Sequence, residues 1–119
     1  MTLLEIIMIL IAIESGGDNL VLGDWDKQAN ANAVGCLQIH QCVVDDCNRI
    51  AKLDYDYNDR YSRWHSVDMA VIYLQHYCTP ERAGRPITAT DVALCWNQGP
   101  DWFKKEPNES YRNKFLALA

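Results

Sequence analysis

The stretch AIESGGDN, residues 12–19, sets one carboxylic acid at the end of an apolar run and follows it with a serine and two glycines. Glu14 falls at the C-terminal end of a predicted helix. The partial negative charge of that helix end and the apolar neighbours both disfavour a carboxylate. An acid kept protonated in this way near neutral pH can give its proton to a leaving oxygen, the pattern of general-acid catalysis. Three further stretches place polar or aromatic groups beside element ends: AVGCLQIH (33–40), LCWNQGP (94–100) and ESYRNKF (109–115).

The elements that must position these groups are mostly helical. Residues 2–14 are apolar on nearly every face, which predicts a buried central helix of three or four turns. Residues 15–35 hold four of the six glycines together with several Asp and Asn, which predicts a long polar loop or a short irregular hairpin. Val43, Val44, Cys47, Ile50 and Ala51 recur at helical steps over 41–53. After the polar segment DYDYNDRYSRWH, Ser66 is a candidate cap for a helix closed by Pro80 and Gly84. Thr88 and Asp91 have capping-box spacing before a helix ended by Gly99-Pro100, and a last helix is expected over 109–118. No strand of convincing length, repeat or low-complexity run is visible.

Composition narrows the function classes. A chain of 119 residues, 49% hydrophobic and 23% charged, has room for one modest core, so a single domain over 1–119 is expected. A net charge of −5 supplies no basic surface for a phosphate backbone, which argues against a nucleic-acid partner. The apolar N-terminus lacks a basic leader and a small-residue cleavage site, carries Glu5, and is far short of the roughly 20 residues that span a bilayer. Neither a signal peptide nor a membrane span is expected.

The five cysteines include no C-x-x-C pair. Several lie among apolar neighbours, where a reduced thiol packs as a small hydrophobe, although up to two disulfides stay open. His65 and His76 have no triad or metal spacing, and DYDYND lacks the Gly and Glu of an EF-hand loop. No metal and no cofactor are expected.

Read in order, Glu14-Ser15, Gly35-Cys36-Leu37-Gln38, Cys95-Trp96-Asn97-Gln98-Gly99 and Tyr111 resemble the motifs of the lysozyme-like lytic transglycosylases and their goose-type lysozyme relatives. The likeness runs over residues 3–115. It implies a mainly α, lysozyme-like fold acting on peptidoglycan glycan strands, with Glu14 as general acid and base. By the same likeness Gln38 and Asn97 bond the sugar N-acetyl or hydroxyl groups, and Trp96 and Tyr111 line the cleft. Ser15 orients the acid or starts the turn. Leu37 stands where the family has Met, Trp96 where it has Tyr, and Cys95 where it has Ala.

The resemblance further implies cleavage of the β-1,4 bond between N-acetylmuramic acid and N-acetylglucosamine. Lytic transglycosylases use one Glu and close the product to a 1,6-anhydro sugar with the substrate's own 6-hydroxyl. The goose-type relatives keep an Asp two residues beyond the Gln, where this chain has His40. A water-using muramidase therefore needs a second carboxylate from the loop after Glu14, and the candidates are Asp24 and Asp26, with Asp18 beside them. A catalytically silent glycan-binding module is a further alternative, as is a helical interaction domain unrelated to sugars. The expected setting is a monomer at the bacterial cell wall or periplasm, brought there by a phage-delivered (endolysin-like) or host-released route.

Overall fold

Local chemistry at the helix ends defines the architecture of the computed structural model, which describes residues 1–119. Helix α1 (Leu3–Ser15) starts at a capping box in which Thr2 and Glu5 exchange backbone amides, so the one acid inside the apolar run is an N-terminal cap. It stops at Gly16, which takes the left-handed conformation at φ 62°. Ile6, Ile7, Leu10 and Ile11 are buried, whereas Leu4 and Met8 are half or more exposed. The helix is thus buried on one face only, not centrally as its composition predicts. Helices α3, α5 and α6 contact it, and a chain this short has little left to cover the other side.

The glycine-rich segment folds as the short hairpin. Strand β1 (Leu22–Asp26) pairs antiparallel with β2 (Ala31–Val34), with an irregularity between Leu22 and Trp25. Helix α2 (Gln41–Ala51) buries Val44 and Cys47 and ends at Lys52 in a left-handed turn, two residues before its expected end. Helix α3 (Arg63–Tyr77) follows a 3-10 turn over Tyr57–Tyr61 and is capped by Ser62. Ser66, expected to be that cap, instead lies fully buried one turn inside and donates to the Arg60 carbonyl at 3.0 Å. Pro80 does not close α3 but opens the separate turn α4 (Pro80–Ala83), which Gly84 ends.

Helix α5 (Ala89–Gln98) has the expected Thr88/Asp91 capping box, and α6 (Glu109–Leu118) is capped by Asn108. One cluster of 19 buried side chains joins α1, α2, α3, α5 and α6 to the segment after β2. Cys36, Cys47 and Cys95 belong to it, Cys42 is exposed, and all five thiols are unpaired. Burial raises the Cys47 thiol to about 12, as expected for a packing residue. No helix is long and apolar enough to cross a membrane.

Arg60 holds the hairpin side together. Its guanidinium is buried and donates to the Tyr57, Asn32 and Ile39 carbonyls at 2.7, 3.1 and 2.9 Å. One side chain thereby ties the 3-10 turn to β2 and to the segment that carries Gln38. Its own carbonyl lies 2.0 Å from where a Cβ on Gly35 would be, so only glycine, at φ 87°, fits that crossing.

Candidate active site

The segment 35–38 is where the separate parts of the site meet. The Ser15 hydroxyl, at the end of α1, is placed to donate to the Cys36 carbonyl at 2.8 Å or to the Ile11 carbonyl at 3.0 Å, and it accepts from the Gly17 amide at 3.1 Å. The Trp96 indole, on α5, donates to the Leu37 carbonyl at 3.3 Å. Gln38 adopts a left-handed backbone at φ 51° and donates through Nε2 to the carbonyls of Val21 and Gly35. A Cβ on Gly23 would fall 1.6 Å from Gln38 Oε1, so a glycine in β1 is what leaves room for this amide.

Between these elements lies a cleft of about 350 Å³. Glu14, Asp24, Gln38, His40, Tyr73, Trp96 and Asn97 line it together with the apolar Ala33, Ile39 and Val43. The Glu14 carboxyl accepts one hydrogen bond within the protein, from the Tyr111 hydroxyl at 2.8 Å. Burial holds it above the ordinary carboxylate range. The Tyr111 hydroxyl pulls it back, the neighbouring charge of Asp24 pushes it further up, and Lys114 opposes that. Tyr111 in turn is buried and held protonated far beyond the usual phenol range by that burial and by Glu14.

Tyr111 reaches Glu14 because the start of α6 is clamped to the end of α5. Asn108 donates its side-chain amide to Asn97 Oδ1 at 2.9 Å and its backbone amide to Gln98 Oε1 at 3.1 Å, while its own Oδ1 caps Tyr111. The Nδ2 of Asn97 and the Oε1 of Gln38 have no hydrogen-bond partner within the protein, and the Gln38 oxygen packs against Gly23.

Glu14, Gln38, Trp96 and Asn97 therefore converge on one cleft, with Tyr111 behind the acid. Ser15 does not line it and acts on backbone groups. Of the loop acids only Asp24 reaches the cleft. Asp26 accepts from the Gln28 amide at 2.9 Å in the hairpin turn, and Asp18 accepts from the Leu20 amide at 2.8 Å. His65 stands edge-on to Tyr55, away from the cleft. Tyr73 is the lining residue that sequence reasoning misses. It lies in the apolar stripe of α3, and its ring meets Trp96 edge-to-face at 5.6 Å. A phenol on a core-facing stripe was the available signal.

Chemically, the cleft offers one acid biased toward its protonated form, an Asn97 Nδ2 donor and a Gln38 Oε1 acceptor without protein partners, and aromatic walls. That combination suits protonation of a glycosidic oxygen. The sequence profile described as Transglycosylase SLT domain matches residues 1–117. No curated protein matches the chain at a significant level. A match over nearly the whole length, on a helical fold that gathers the motif residues around one acid, places the chain in the transglycosylase SLT family, enzymes of the lytic transglycosylase and lysozyme type that act on peptidoglycan.

Proposed function

We propose that the protein cleaves the β-1,4 bond between N-acetylmuramic acid and N-acetylglucosamine by a one-carboxylate mechanism. Glu14, protonated, gives its proton to the bridging oxygen as the bond to the muramyl C1 breaks, and the N-acetyl oxygen of the same sugar closes onto C1. The Glu14 carboxylate then takes the proton of the 6-hydroxyl, whose oxygen displaces the N-acetyl oxygen at C1. The acid is restored and the product is a 1,6-anhydro sugar. The observation that carries this reading is one acid, Glu14, raised by burial and bonded by Tyr111, at the wall of a cleft that Gln38, Trp96 and Asn97 also line.

Gln38 and Asn97 hold the N-acetyl and hydroxyl groups, and Trp96 with Tyr73 packs on the sugar faces. The residues 1–119 act as one lysozyme-like catalytic unit, as a monomer at the bacterial wall. A second reading, hydrolysis, rests on Asp24, which lines the same cleft and can orient water. Mass spectrometry of digested peptidoglycan separates the two: 1,6-anhydro ends are expected, and reducing ends alone would overturn the one-carboxylate reading in favour of Asp24-assisted hydrolysis.

A further inference from the structure

His40 occupies the N-cap position of α2, with extended backbone at φ −79° and ψ 155°, yet its side chain makes no capping hydrogen bond. Side chains at that position usually turn back onto a first-turn amide. His40 lines the cleft instead and is half-buried there. Its ring has no hydrogen-bond or ion-pair partner within the protein.

The other ionisable groups of the cleft wall are the carboxyls of Glu14 and Asp24 and the phenol of Tyr73. No lysine or arginine lines it, so His40 is the one lining side chain able to carry positive charge, in a chain of net charge −5. A substrate bearing carboxylates meets the charge of Asp24 in this cleft, and an N–H donor able to carry positive charge on the same wall offsets that repulsion. Imidazole donates one N–H when neutral and two when protonated, so His40 offers a donor in either state. The Gln38 amide hydrogens are taken up by Val21 and Gly35 and the Asn97 amide is neutral, so His40 is the lining donor best suited to an acidic substituent.

We propose that His40 is a specificity-determining residue that donates a hydrogen bond to a carboxylate on the muramyl side of the strand. The inference rests on the reading of the cleft as a peptidoglycan site. The carboxylate comes from the lactyl group of a peptide-free strand or from an acidic residue of the stem peptide, and the chemistry of recognition is the same.

The test is calorimetric binding to the non-cleaving Glu14→Gln protein, with three probes: peptide-bearing glycan strands, strands stripped of their peptides by an amidase, and a neutral N-acetylglucosamine oligomer. Adding His40→Ala is expected to lower affinity for a carboxylate-bearing probe, relative to the neutral oligomer, by about tenfold, the worth of one charge-assisted hydrogen bond. His40→Gln, which keeps an N–H donor, is expected to recover part of that ratio. A loss confined to stripped strands assigns the lactyl carboxylate, and a loss confined to peptide-bearing strands assigns the stem. An equal loss on all three probes, or none, overturns the inference alone. Failure of the Glu14→Gln protein with His40 intact to bind any saccharide overturns it together with the peptidoglycan reading.

Discussion

Glu14 and Asp91 are the two carboxylic acids most engaged with the protein interior, and their surroundings drive them in opposite directions. Asp91 lies in the first turn of α5 and accepts from both guanidinium nitrogens of Arg85 at 2.7 Å, from the Trp102 indole at 3.1 Å, and from the amide and hydroxyl of Thr88 at 2.9 Å each. Burial alone opposes its ionisation, but Arg85, Thr88 and Trp102 outweigh it and hold the carboxyl far below the usual range. Glu14 lies in the last turn of the opposite kind of helix end, with one donor and the charge of Asp24 nearby. Burial pushes both upward; at Glu14 it prevails over a single donor, and at Asp91 it is outweighed. The number of donors and the sign of the nearest charge decide whether burial is overcome, which makes Asp91 a structural anion and leaves Glu14 biased toward its protonated form.

The largest expected effect is on activity. Glu14→Gln should lower kcat on peptidoglycan by about 10²–10⁴-fold, measured by release of soluble fragments. The same variant also checks the sign of the comparison. A carboxyl raised from 4.5 contributes stability that is present below about pH 4.5 and lost as pH rises through its folded value. Glu14→Gln should therefore melt at a higher temperature than the native protein at pH 7 and show no such gain at pH 4. An unchanged Tm at pH 7 would break the claim that Glu14 is held against its preferred charge state.

Asp91→Ala should do the reverse, destabilising the fold by about 2–3 kcal/mol in urea at pH 7, toward the low end for a buried ion pair because Arg85 is half-exposed. The stability that Asp91 supplies is present above its ordinary value of 3.8 and is lost as pH falls through the depressed folded value. The penalty of the variant should accordingly fade only in strong acid.

Two smaller changes sharpen the comparison by altering the surroundings of Glu14. Tyr111→Phe removes the donor that favours the carboxylate, so the alkaline limb of the pH–activity profile should move up, with about a fivefold loss of kcat from one missing hydrogen bond. Asp24→Asn removes the repelling charge, so the limb should move down, with kcat within about threefold of native if the one-carboxylate reading holds. Shifts of the same sign in both variants would contradict the assignment of these neighbours.

Much of the molecule was legible along the chain. The α5 capping box, the extent of α6, the hairpin or loop after α1, and the convergence of Glu14, Gln38, Trp96 and Asn97 all rest on local signals or on motifs whose order is visible in one dimension. The misreadings have physical causes. Ser66 resembles a cap because Ser types favour that role, but Ser62 lies one turn earlier and takes it. The apolar α1 reads as central because composition carries no count of available neighbours. Asp18, Asp24 and Asp26 are equivalent loop acids in sequence. In the folded chain Asp24 lies in the irregular part of β1 and lines the cleft, Asp26 closes onto an amide of the hairpin turn, and Asp18 onto the Leu20 amide before β1.

By itself the sequence determined the helical elements, the candidate acid and the family motifs, since these depend on residue type and on spacing within a few turns. Tertiary structure alone decided how Glu14 is tuned and what faces it. Tyr111 is 97 residues away in the chain, Arg60 buttresses the Gln38 segment from a polar stretch, and Gly23 clears the space for the Gln38 amide. Desolvation and hydrogen bonding act through distances in space, and a linear pattern does not encode those until the chain has closed on itself.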